Sequence, residues 1–128
     1  MPDTAVLPVG ERTALPPPGG YRLAGCVLER TSLPLLHRRI PTNGGELTVG
    51  DETTLTLPDL ITATVVVEGR RRLRIAGWLN LRDRRHTLRL TARVVHVDDD
   101  GLVFAATGTA VASGRRRLRI EAAMEFIR

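Results

Sequence analysis

Lysine is absent from this chain. All nineteen basic residues among its 128 are arginine. GC-rich coding produces such a bias. So does selection for a planar, five-donor cation that pairs bidentately with phosphate or carboxylate. Cysteine occurs once, at Cys26, which excludes an internal disulfide. Aromatic residues make up only 3%, namely Tyr21, Trp78, Phe104 and Phe126, so a core has to be built from Leu, Val, Ile and Ala. No apolar run reaches the roughly 20 residues that a membrane helix needs. The N-terminus has no basic stretch leading into an apolar one. Neither a membrane span nor a secretory leader is therefore expected, and the expected compartment is the cytoplasm.

What is present is a repeat. Residues 62–75, TATVVVEGRRRLRI, and residues 107–120, TGTAVASGRRRLRI, agree at ten of fourteen positions with an offset of 45. Each copy runs through Thr, Val and Ala to a glycine (Gly69, Gly114), then three arginines, then Leu-Arg-Ile. This reads as one β-hairpin written twice.

The rest of the chain fits that frame. At 128 residues one domain with a real core is expected. Five of the eight prolines lie in residues 1–20, with Gly19-Gly20 closing the stretch. It reads as an extended N-terminal arm, with the domain running from 21 to 128. Residues 21–33 fit two descriptions. Tyr21, Leu23, Gly25 and Val27 alternate as in a strand, while Leu23, Val27 and Leu28 sit at helical spacing, and Pro34 ends either. Asn43-Gly44-Gly45 signals a turn, followed by short strands at 46–49 and 53–57.

From Ile61 the two-residue period is clear. Leu73, Ile75, Gly77, Leu79 and Leu81 share one face. His86, Leu88, Leu90, Ala92, Val94 and His96 share the next, after a turn at Asp83-Arg84-Arg85. Residues 98–101 make another turn. Leu102, Phe104, Ala106, Gly108, Ala110 and Ala112 form a third inner face, and Leu118 to Phe126 the last. Strands joined by short turns give an antiparallel meander. Edges of that length need covering, so the expected fold is all-β, a meander closed or nearly closed into a small barrel, with a two-sheet sandwich second.

Charge is uneven along the chain. Residues 1–64 hold five Arg against seven acids, and residues 65–128 hold fourteen against seven. Arg70, Arg71, Arg72, Arg115, Arg116 and Arg117 crowd the two expected hairpin tips. If both tips lie at one end they form a cationic rim for an anionic headgroup, phosphate or acidic partner. The plainer account is a pair of solvated tips that discourage edge pairing. Single-strand nucleic-acid binding also needs stacking aromatics. Trp78 is the one exposed candidate, which argues against nucleic acid.

No catalytic constellation is visible: no Gly-x-Ser-x-Gly elbow, phosphate loop or Cys/His dyad. No enzyme and no cofactor are expected. His86 and His96, ten residues apart at about 3.3 Å per residue, cannot share a metal ion within one strand. His37 stands alone in an expected loop, and Asp98-Asp99-Asp100 lacks the further oxygen ligands of a calcium loop. No metal site is expected. The small inner residues Ala106, Gly108, Ala110 and Ala112 mean either close packing of another element or an apolar cavity suited to a lipid-like ligand.

Leu73-Arg74-Ile75-Ala76-Gly77, followed by the alternating Thr87-Leu88-Arg89-Leu90, is similar to the G-x-L-x-I-x-G … v-x-l stretch of the YceI-like family. Phe104-Ala105-Ala106-Thr107-Gly108-Thr109 resembles that family's next strand. The resemblance covers residues 62–113, under half the chain. It implies a lipocalin-like antiparallel barrel with an elongated apolar cavity for a polyisoprenoid or related amphiphile. It also implies that Leu73, Ile75, Leu88, Leu90, Phe104 and Ala106 face that cavity. The family's Arg-Asp-x-His-Leu segment with its Phe-Phe and Tyr-Pro is absent, and Gly114-Arg115-Arg116-Arg117 replaces its usual ending. The expected protein is thus a non-catalytic binding module holding a lipid-like small molecule inside a barrel. The alternative is a packed β-domain whose Arg-rich face docks an acidic protein, a second copy of itself or nucleic-acid backbone.

Overall fold

The computed structural model describes residues 14–32 and 36–128. Pro34 and residues 1–13 of the expected arm lie outside them. Nine strands follow one another: β1 (Gly19–Ser32), β2 (Leu36–Arg39), β3 (Glu46–Val49), β4 (Thr53–Leu57), β5 (Ile61–Gly69), β6 (Arg72–Leu81), β7 (Arg84–Asp98), β8 (Gly101–Val111) and β9 (Leu118–Ile127). Each of β3 to β9 pairs antiparallel with the next. The long β1 closes the ring. Residues 19–22 pair with β3, and residues 22–31 pair along the opposite edge with β9. The result is a closed antiparallel barrel of eight strands. β2 is an extra strand, hydrogen-bonded to β1 beyond β3 through Glu29↔Arg39 to Ser32↔Leu36. Both copies of the repeat are hairpins, β5–β6 and β8–β9.

The two-residue period puts Leu73, Ile75, Leu88, Leu90, Phe104 and Ala106 inside, each at most 2% exposed. A fully buried Leu or Ile contributes about 1.5–3 kcal/mol, so these strands hold the barrel shut from within. Eight strands enclose an interior just wide enough for side chains to fill. Phe104 and Phe126 stack there at 6.2 Å between ring centroids. Ala92, Ala106 and Ala122 are register neighbours across β7, β8 and β9. Such small residues leave room for large ones such as Tyr21, Leu47 and Leu55, which are fully buried.

Gly77 and Gly108 serve strand approach rather than turns. A Cβ at Gly77 would strike the Thr62 carbonyl oxygen and Ala63, and one at Gly108 the Arg89 carbonyl oxygen and Leu90. The backbone of the neighbouring strand comes too close at both places for any side chain.

The register shifts at three places: at the end of β5, between Val67 and Gly69, and at two β-bulges that reset the alternation of β1 and β7. One between Leu23 and Gly25 turns Cys26 and Leu28 inward and leaves Val27 43% exposed, where plain alternation places Val27 with Tyr21. The other, between Val94 and His96, turns Val97 inward and His96 outward, so His86 and His96 do not share a face. The turn expected at Asp83-Arg84-Arg85 lies one residue earlier. Arg82 (φ 49°) and Asp83 (φ 61°) are both left-handed, the two-residue connection that matches strand twist, and Arg84 already belongs to β7.

Ala14 and Leu15 are buried in the core just ahead of β1. The buried Tyr21 hydroxyl donates to the Pro17 carbonyl and accepts from the Arg128 guanidinium at 2.9 Å. Arg128 also donates its backbone N–H to Asp100 at 2.9 Å, tying the end of β9 to the β7–β8 turn and the start of β1.

Candidate functional site

Strand direction decides where each arginine goes. The β5–β6 tip (residues 69–72) and the β7–β8 turn mark one end of the barrel, here the upper end. The β6–β7 turn and the β8–β9 loop mark the lower end. Three strands separate the two Gly-Arg-Arg-Arg tips, an odd number. They therefore lie at opposite ends and do not form the single rim expected from the repeat. Arg70, Arg71 and Arg72 belong to the upper end, and Arg115, Arg116 and Arg117 to the lower.

At the lower mouth a cleft of about 570 Å³ is lined by Arg30, Arg82, Arg84, Arg115, Arg116 and His86, over Leu81 and Leu118. Four segments contribute: the end of β1, the β6–β7 turn, the start of β7 and the β8–β9 loop. Gly114, at φ 71°, and a hydrogen bond from the Arg115 N–H to the Ala112 carbonyl (3.0 Å) shape that loop. Among the described residues, no carboxylate lines the cleft. Burial, together with the nearby charges of Arg82 and Arg38, pushes the Arg30 guanidinium below its usual range. His86 is 6% exposed, and its Nδ1 is buried without a hydrogen-bond partner.

On the outside, three shallow clefts run into one another along β8. The first holds Arg70, Arg71, Arg72 and Arg93 above Ala105 and Thr107. The second shares Thr107 and adds Arg117 and Arg119, and the third shares Thr109 and Arg117 and adds Arg89. Register explains the assembly: Arg93 lies opposite Ala105 and Arg89 opposite Thr109, so β7 walls a floor of uncharged β8 side chains. The Arg71 guanidinium donates to the carbonyls of Val94 and Val95, both at 3.5 Å, folding the upper tip over β7. Glu68 is the one carboxylate among the described residues lining these clefts, and it pairs with Arg74 at 3.0 Å. Trp78 stands on the outer face of β6, 44% exposed, with the Arg85 guanidinium 5.2 Å from its ring centroid.

The remaining polar groups are local. The Asp98 carboxyl is held below its usual range by its hydrogen bond to His96 (2.9 Å) and by the backbone N–H of Asp100 (2.8 Å). Asp98, Asp99 and Asp100 thus form a turn. His37 is not in a loop but in β2, and its Nδ1 lies 3.2 Å from the Thr31 hydroxyl. Register brings it near Glu29 and Glu121, with ligand atoms within 4.8 Å of one another, the one His/carboxylate grouping among the described residues with metal-binding spacing. Arg39 lies opposite Glu29, and Arg119 pairs with Glu121 at 3.6 Å, so both carboxylates already have cationic neighbours. Partial burial pushes the Cys26 thiol up, against an opposing hydrogen bond from Thr42.

Fold and surface together define a small closed β-barrel with one group of arginines at one mouth and another on one outer face. No protein-family profile, curated protein or solved structure matches this chain. The architecture is compatible with YceI-like and lipocalin-like barrels without being specific to them.

Proposed function

We propose that the protein is a non-catalytic docking module whose outer β7–β8 face receives an extended acidic protein segment. The observation that carries this reading is the continuous track along β8. Among the described residues, seven arginines line it, against one carboxylate that is itself paired. From Ala105 to Val111 it spans about 20 Å, the length of a short extended peptide. An amphiphile inside the barrel is less well supported. Leu73, Ile75, Leu88, Leu90, Phe104 and Ala106 are buried against their own neighbours, and a tail would have to displace them.

Magnitudes set the requirement. An exposed ion pair is worth about 0–1 kcal/mol, and micromolar binding needs about 8 kcal/mol. A ligand must therefore engage most of the track, and short acidic fragments bind poorly. Trp78 alone gives little stacking, which favours an acidic peptide over a single-stranded nucleic acid.

The test is fluorescence anisotropy with a labelled Glu-rich peptide and an oligothymidylate of equal charge. Peptide binding that weakens about tenfold in Arg89→Ser/Arg93→Ser and falls steeply with added salt supports the reading. Preference for the oligonucleotide would assign the face to nucleic-acid backbone instead. Equal binding by wild type and the double variant would remove the track from consideration.

A further inference from the structure

We propose that the lower mouth of the barrel is a separate binding site for a compact phosphoryl group, such as diphosphate or the phosphate end of a larger molecule. The site is independent of the β8 track and shares none of the guanidinium groups that line it. Arg115 and Arg116 line the mouth, whereas Arg117 lines the outer groove.

Convergence is the first argument. Arg30, Arg82, Arg84, Arg115 and Arg116 come from three stretches far apart in sequence, and all line one cleft of about 570 Å³. Like charges placed so close oppose one another unless anions stand among them, and no carboxylate among the described residues lines the cleft. Among the described residues, the ion pairs join Arg74 to Glu68, His96 to Asp98 and Arg119 to Glu121, and none includes a mouth arginine. Arg30 lies opposite the buried Ile120 on β9, at a part-buried position of β1 that lines the same cleft.

His86 is the second and independent argument. It lies at the inner wall of the same cleft, more than nine-tenths buried, with Nδ1 unpartnered. An apolar residue would fill this core-edge position without that cost. A histidine kept there has a purpose if the ring meets a polar ligand.

Chemistry then selects the ligand. Several planar guanidinium forks around one small space match the oxygens of a phosphoryl group, which accepts bidentate hydrogen bonds from more than one side. Leu81 and Leu118 also line the cleft, so a small apolar group attached to the phosphate is accommodated.

The experiment is isothermal titration calorimetry at low salt with inorganic diphosphate. It is run on wild type, on the mouth pair Arg84→Ser/Arg116→Ser, on the track pair Arg89→Ser/Arg93→Ser, and on His86→Leu. The expected result is one-to-one binding that weakens about tenfold or more in the mouth pair and holds in the track pair. His86→Leu should also bind more weakly while melting at a higher temperature. Phosphatidylcholine vesicles with and without phosphatidic acid separate the sources. Sedimentation with the acidic vesicles that disappears in the mouth pair alone marks a lipid-borne phosphate. Absence of binding to both probes would overturn the proposal, as would equal losses in the mouth and track pairs. Loss in the track pair alone would overturn it while leaving the β8 track in place.

Discussion

Single residues carry much of the barrel's shape. Gly108 sits where any Cβ would meet the backbone of β7, so Gly108→Ala should destabilise by about 1–3 kcal/mol, read as a drop in the urea midpoint. Gly50 is the contrast. The nearest atom to its Cβ would be the Glu52 carbonyl at an ordinary 3.8 Å, so Gly50→Ala should gain about 0.4–1 kcal/mol by restricting the unfolded chain. Tyr21→Phe loses a donor to Pro17 and an acceptor for Arg128 and should cost about 1 kcal/mol in the same assay. Asp98 gives the pH dependence. Its carboxyl is held low in the fold by His96 and the Asp100 N–H. The stabilisation is therefore present above an unfolded value of about 3.9 and is lost as pH falls through the lower folded value. A carboxyl-carbon NMR titration should place Asp98 below the ordinary aspartate value of about 3.9.

Among the strands, alternation alone identified the inner faces of β6, β8 and β9, because no bulge interrupts the inward runs from Leu73, Leu102 and Leu118. It failed at Val27 and His96, where a single extra residue changes the phase and a period count has nothing to register it. Val27→Asp should therefore be tolerated, whereas Leu28→Asp, at a position 1% exposed, should unfold the protein. Circular dichroism of the two variants decides this. β2 escaped notice because three of its four residues are basic or histidine, which hides any apolar alternation. The same residues blunt an edge that pairs with β1 on one side only among the described residues.

For the molecule as a whole, the closed meander was legible because the repeat and the turns fixed strand pairing. The candidate sites were legible only in part. The repeat singled out Arg70 to Arg72 and Arg115 to Arg117, but their separation to opposite ends depends on counting strands between tips, including any the sequence marks weakly. Arg30, Arg82, Arg84 and His86 meet only after closure, and Arg89 and Arg93 become a wall only through their register with β8. The charge asymmetry between the two halves of the chain thus becomes an asymmetry in space. Association with acidic partners should accordingly be fast and strongly weakened by salt, seen as a falling on-rate in stopped-flow measurements while the melting temperature hardly moves.

The seam of the barrel has one more consequence. β9 ends where β1 begins: Arg22 lies opposite Ile127, and the Arg128 guanidinium reaches Gly19. The first and last strands of the barrel thus meet as an ordinary antiparallel pair, with the start of one beside the end of the other. Bridging the seam with a short linker and reopening the chain near Gly44 would preserve every pairing between β3 and β9. A circular permutant cut there should refold with its mouth and its β8 track unchanged.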